Sequence, residues 1–322
     1  MSHEYFVLQL ASFVVPATIL AVLALGLNLQ YGHTGLFNAG VAAFVGIGAY
    51  TFGMLSTGDF ADTVANWRHW GPDQPWNYAL SAVTAMAFAG AVGVLVAIPT
   101  IRLRADYLAI ATLALSEIVR LVLKNERALT GGDRTLAYIP APFEDLTGGG
   151  WASDGVFALV VVALLLFLLF LMGYVTGTPW GRALKAVRED EEAAEALGKN
   201  VFRLKLGSFA VGCAIMGLAG VMIASFQGVI SPDQFAPYAT FTAYVVVVLG
   251  GSGNPRGVVL GAYVFSLFGW ATQQLKAYLP TDFALRIDYV NQIVIGLLLI
   301  LVILFRPGGL IPEVKYVPRN RQ

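Results

Sequence analysis

The sequence predicts an all-α polytopic transmembrane helical bundle, and three observations carry that expectation. Hydrophobic residues fill 57% of the 322 positions while charged residues fill 12%, about half the share of an average soluble domain. Apolar residues gather in runs close to the ~20 needed to cross a bilayer. Lysine and arginine, finally, are distributed unevenly among the connectors between those runs.

The composition also excludes function classes. A mean hydropathy of +0.70 leaves too little polar surface to cover a soluble core of this length. Lys+Arg and Asp+Glu balance at 20 each, so the basic excess of a nucleic-acid binder is missing. Cys213 has no second cysteine to pair with and lies in an apolar run, as a buried, inert thiol would. His3, His33 and His69 have no chelating spacing, so no metal is expected. No nucleophile stands beside a base, and no catalytic residue is assigned.

About nine spans follow in order: Phe6–Leu29, Gly35–Leu55, Tyr78–Pro99, Tyr107–Val119, Val156–Val175, Leu206–Phe226, Phe241–Gly250, Val258–Leu275 and Asn291–Phe305. The first follows a terminus without the positive region of a signal peptide, so it is expected to stay in the mature chain. Tyr107–Val119 and Phe241–Gly250 are short. Each is either an interrupted helix, of the kind that lines transporter routes, or a helix that tilts or ends at the interface. Trp67, Trp70, Trp76, Trp151 and Trp180 sit in connectors, as interfacial anchors do. Counted over alternating connectors with the C-terminus in the cytoplasm, 13 of the 20 Lys/Arg fall inside. The positive-inside bias therefore favours an outer N-terminus and an inner C-terminus.

Glycines crowd the second and sixth spans (Gly32, Gly35, Gly40, Gly46, Gly48, Gly53; Gly212, Gly217, Gly220). In lipid, helices approach through small residues, so these are packing faces, with hinges as the alternative role. Polar residues at membrane depth are few. Asn28, Gln30, His33, Thr34 and Asn38 cluster where the first two spans join; they either hydrogen-bond between helices or border a route. Glu117 either pairs with Arg120 three residues on or faces a pathway. With Thr112, the pathway candidates are Glu117, Thr112, Asn28 and Asn38.

The longest hydrophilic stretch on the predicted inner side is Gly181–Asn200. It carries five carboxylates between Glu189 and Glu195 and is rich in strong helix formers. Leu184, Val187, Ala194, Leu197 and Val201 fall on one stripe, and Gly198 permits a sharp turn. A short amphipathic helix of mixed charge, presented from a bundle, is expected to dock a cytoplasmic protein.

Glu192-Ala193-Ala194-x-x-x-Gly198 matches the EAA-x-x-x-G core of coupling loops in ABC-importer permeases. Further stretches extend the match over nearly the whole chain: Leu27-Asn28-Leu29 with Gly46-Ile47-Gly48-Ala49-Tyr50, Arg102-Leu103-Arg104-Ala105-Asp106-Tyr107, Leu129-Thr130-Gly131-Gly132, Ile230-Ser231-Pro232 and Val248-Leu249-Gly250-Gly251-Ser252-Gly253. On these residues the chain resembles the LivM-type permease subunits of branched-chain amino-acid ABC importers. Downstream it departs from the general importer motif, with Leu204-Lys205-Leu206 and no proline.

The resemblance implies one permease domain over 1–322 with a coupling loop at 177–205, in a bacterial inner membrane. ATPase coupling would rest on Glu189, Glu192, Ala193, Ala194, Leu197 and Gly198. The implied partners are a LivH-like homologous permease, two cytoplasmic ABC ATPase subunits and a periplasmic substrate-binding protein. The chain has no Gly-x-x-x-x-Gly-Lys-[Ser/Thr] phosphate loop, so ATP and Mg would be held by the ATPases. Urea or short amides are alternative substrates. A secondary transporter or channel would share the spans without the loop, and a membrane transferase would want a His/Asp/Glu constellation.

Overall fold

All nine apolar runs become helices, because backbone in lipid must satisfy its hydrogen bonds within its own segment. A computed structural model describes residues 3–57, 75–130, 132, 135–137, 139, 143, 150–276, 287–306 and 308–313. The helices are α1 (His3–Leu27), α2 (Val41–Thr57), α3 (Pro75–Thr100), α4 (Ala105–Asn125), the short α5 (Arg127–Thr130), α6 (Trp151–Gly177), α7 (Pro179–Glu189), α8 (Glu191–Ala196), α9 (Val201–Gln227), α10 (Pro237–Gly250), α11 (Pro255–Lys276) and α12 (Ile287–Phe305). Among the described residues the β pairing is one isolated bridge, Leu136 with Ile230. Trp67, Trp70, Arg68, Gly131, Arg134, Arg286, Lys315, Arg319 and Arg321 lie outside the described residues.

α9 is the axis of the bundle. It packs against α3, α2 and α1, and 72% of its apolar window is buried, beside 67% for α1. α6 and α11 bury 28% and 17%, so they form the outer layer and present their remaining apolar surface to lipid. The glycine faces allow this layering. A Cβ on Gly48 would meet the Gly217 carbonyl and lie 2.5 Å from its Cα, one on Gly26 would lie 2.8 Å from the Gly212 carbonyl, and one on Gly93 2.8 Å from the Cys213 Cβ.

Two expectations are corrected. Tyr107–Val119 is not a short helix: α4 runs unbroken for 21 residues, because Glu117, Arg120 and Lys124 are ion-paired and the helix continues past its apolar run. The second span does not begin at Gly35, since α1 is prolonged by a π-helical segment, Asn28–His33, and α2 starts at Val41. Phe241–Gly250 does end abruptly. α10 has 14 residues, about 21 Å against a hydrocarbon core of ~30 Å, and stops at the glycine-rich turn before α11.

Candidate functional site: the coupling loop and the interior polar cluster

The hydrophilic loop folds as two helices, α7 and α8, not one. Thr178 caps α7, accepting from the Gly181 N–H, with Pro179 at the first helical position. Asp190 then leaves helical geometry (φ −154°, ψ 107°) and its carboxylate caps α8 by accepting from Ala193 N at 2.9 Å. The break comes where the polar Asp190-Glu191 pair interrupts the apolar stripe. Val187, Ala194 and Val201 close over each other as a small core of their own, and Lys205 ties to Glu191 at 2.5 Å. Gly198 ends α8 in the left-handed region (φ +76°), with Lys199 N donating to Ala194 O at 3.1 Å.

That geometry sorts the six coupling candidates. Ala194 is the buried anchor, while Glu189, Glu192, Ala193, Leu197 and Gly198 are exposed on the tip. Leu197 departs from the predicted stripe and is 80% exposed, because its position follows the last turn of α8 rather than continuing it. Glu191, Glu192 and Glu195 of the same short helix are exposed as well.

The pathway candidates fall into a buried set and an ion-paired one. Asn28, Asn38 and Thr112 are buried and hydrogen-bonded within the chain. Asn28 Oδ1 accepts from Gly253 N at 2.8 Å, Asn38 Nδ2 donates to Gln30 Oε1 at 2.8 Å, and Thr112 Oγ1 accepts from Ala39 N at 2.9 Å. Gln30 Nε2 in turn donates to Phe209 O at 2.8 Å. Together they fix the irregular backbone between α1 and α2, whose polar groups have no water to turn to. Asn38 and Thr112 meet at Gly40; Asn28 sits apart, at the end nearest the loop after α10.

Glu117 lies about 7.5 Å along α4 from Thr112. Arg120 donates to it at 2.9 Å and to Asp233 at 2.9 Å, and Lys124 reaches Asp233 at 3.3 Å. On another, exposed face of α4, a shallow open groove is lined by Ile118, Leu121, Val122, Asn125 and the adjoining Glu126. The hydroxyls of Tyr50 and Ser116 are buried with no hydrogen-bond partner among the described residues. Among those residues no group of three or more His, Cys, Asp or Glu is arranged to hold a metal.

Sequence reasoning missed Glu313. Its carboxylate receives Lys185 at 2.7 Å and Arg188 at 2.8 Å. Burial would raise its pKa, but the hydrogen bonds and charges of Lys185 and Arg188 outweigh this and hold it below the usual value. A depressed carboxylate stabilises the fold above its ordinary pKa of about 4.3, and that contribution is lost only as pH falls through the lower folded value. Glu313 is therefore a carboxylate at neutral pH. Lys185 and Arg188, three apart on one face of α7, were the available signal for an acidic partner.

With this geometry in hand, residues 9–303 match the family model described as the permease component of branched-chain amino acid transport systems. The chain belongs to that family. It is 34% identical to the high-affinity branched-chain amino acid transport permease LivM of Salmonella typhimurium, over 92% of this chain and 68% of the relative. It is 28% identical to the probable LivM of Methanocaldococcus jannaschii (91% and 90%) and to LivH of Escherichia coli (97% and 98%). No solved structure matches it. As a member of the branched-chain amino acid permease family with several apolar spanning helices, the protein is a multi-pass membrane transport component.

Proposed function

We propose that this chain is the permease subunit of an ATP-driven importer of branched-chain amino acids in a bacterial inner membrane. The exposed α8 tip carries the reading: of the four residues matching the coupling core, Glu192, Ala193 and Gly198 face outward while Ala194 anchors the loop. The tip seats in an ATPase groove, and alternating access follows as ATP binding and hydrolysis favour different orientations of the bundle. ATP and Mg belong to two cytoplasmic ATPase subunits. Substrate comes from a periplasmic binding protein, and a LivH-like homologue supplies the other half of the membrane pore. Glu313 lies against the loop, and the side that follows α12 is assigned to the cytoplasm, in keeping with the Lys/Arg bias.

Within this reading, Glu117 and Arg120 meet the charged groups of an aliphatic amino acid. Asn28, Asn38 and Thr112 serve the route by holding the α1–α2 connection. Glu117→Gln leaves Arg120 paired with Asp233, so the fold is expected to survive while leucine uptake falls with ATPase subunits still attached. Unchanged uptake would remove Glu117 from the route.

The function is tested by purifying the chain with its co-expressed partners and measuring uptake into liposomes loaded on the cytoplasmic side with ATP. ATP-dependent leucine uptake, with urea and acetamide ignored, is the expected result. Urea uptake would reassign the substrate, and a chain that retains no ATPase through purification would overturn the importer reading.

A further inference from the structure

The residues 308–313 beyond α12 form a strap across the unwound end of α10. Leu310 N donates to Leu249 O at 2.8 Å and Ile311 N to Gly250 O at 3.0 Å. Those carbonyls belong to the last turn of α10, whose acceptors have no partner inside the helix. Asn254 Nδ2 donates to Ile311 O and Pro312 O at 3.3 Å each. A Cβ on Gly251 would meet the Gly308 carbonyl at 2.8 Å, so the strap seats flush on the turn between α10 and α11.

Glu313 is where the strap meets α7. Its two carboxylate oxygens take Lys185 and Arg188, and its side chain is only 17% exposed. Arg188 also donates to the Gly32 carbonyl in the π-helical end of α1, and Asn28, at the start of that segment, receives Gly253 N from the turn after α10. Four elements thus close a ring: α7, the end of α1, the α10–α11 turn and the strap. Lys185 and Arg188 lie on the part of the loop that roots the exposed α8 tip.

We propose that Glu313 is a positioning residue for coupling. By clamping α7 to the strap, it makes displacement of the α8 tip carry α1 and α10 with it instead of flexing the loop. α1 is a buried inner helix and α10 the shortest of the nine, so both are placed to convert a push at the loop into a change at the bundle interior. A charge-assisted, two-cation contact gives the stiffness a single neutral hydrogen bond would not. This inference rests on the reading that the loop docks an ATPase.

The experiment compares wild type and Glu313→Gln in liposomes with ATPases, second permease and binding protein, reading leucine uptake per ATP hydrolysed. Wild type without ATP-driven uptake defeats the importer reading before the variant matters. With wild type active, Glu313→Gln is expected to retain ATPase subunits and hydrolysis while uptake per ATP drops about fivefold or more, with Glu313→Asp recovering part of it. An unchanged ratio overturns the clamp. If Glu313→Gln does not assemble, Lys185→Cys combined with Glu313→Cys is bridged by a short bis-thiosulfonate reagent; Cys213 is fully buried, out of its reach. Bridged transporter is expected to couple better than the same sample after dithiothreitol. Equal coupling in both states, or loss of uptake on bridging, rejects a clamp that stays closed through the cycle.

Discussion

Replacing Gly198 with valine is expected to lower leucine uptake about tenfold while the membrane bundle stays folded. Gly198 holds φ at +76°, a conformation that costs an L-residue roughly 1–2 kcal/mol and a β-branched one more. A Cβ there meets nothing within 4 Å, so the penalty is entirely backbone and cannot be blamed on a clash elsewhere. α8 has six residues, too few to hold its shape unaided. Its ends are fixed by Asp190 on one side and by the Gly198 turn on the other, where Gly198 N donates to Glu195 O at 2.8 Å. Strain of that size shifts a local equilibrium about 5–30-fold. The shift moves Leu197 and Glu192 off the geometry they present, so ATPase subunits should wash off during purification. Gly198→Asn, which tolerates the left-handed region, is the control and should couple nearly as wild type. Full coupling in Gly198→Val would show that the turn has no part in docking.

How much of this was legible in the chain depended on whether the determinant was local. Spans are set by runs of apolar residues, so among the described residues the helices over those runs could be read directly. Their ends could not. α4 continues beyond Val119 because Arg120 finds Asp233, far along the sequence, and α1 continues past Leu27 as a π segment because Gln30 finds Phe209 O and Asn28 finds Gly253 N. The hydrophilic loop stood out by its motif, and the polar Asp190-Glu191 interruption marked where the helix breaks. Burial within it was a different matter: the spacing puts Leu197 on a stripe with Ala194, yet the helix ends before it and leaves it in solvent. Glu313 was invisible for the same reason as Asp233. A lone acid near a terminus acquires meaning only when the fold brings two cations to it. The pathway candidates show the reverse limit. Asn28, Asn38 and Thr112 stood out as polar groups in apolar surroundings, and in the fold that very rarity ties them to backbone groups that lipid leaves no other way to satisfy.

Gly48→Ala is expected to cost the protein its folded yield, the largest stability effect among the substitutions considered. Two effects of opposite sign compete. Alanine is the better helix former by about 1 kcal/mol, which alone would make the change stabilising. Against it, the new methyl would fall on the backbone of α9, at the Gly217 carbonyl and 2.5 Å from Gly217 Cα, and backbone inside a helix cannot rotate away as a side chain can. α9 cannot retreat either, since a Cβ on Gly217 would already sit 2.5 Å from the Ala89 Cβ of α3 on its other side. Overpacking of this kind costs about 1–3 kcal/mol even where neighbours give somewhat. In lipid the lost close contact has no hydrophobic drive between helices to replace it. The strain should therefore outweigh the propensity gain and separate α2 from α9. Gly173→Ala supplies the contrast, because a Cβ there, on the outward α6, meets nothing within 4 Å and only the propensity term remains. Thermal unfolding followed by size-exclusion chromatography in detergent should show Gly48→Ala aggregating well below wild type and Gly173→Ala at or above it. If both variants melt together with wild type, the backbone contact between α2 and α9 is not what sets the tightness of the bundle.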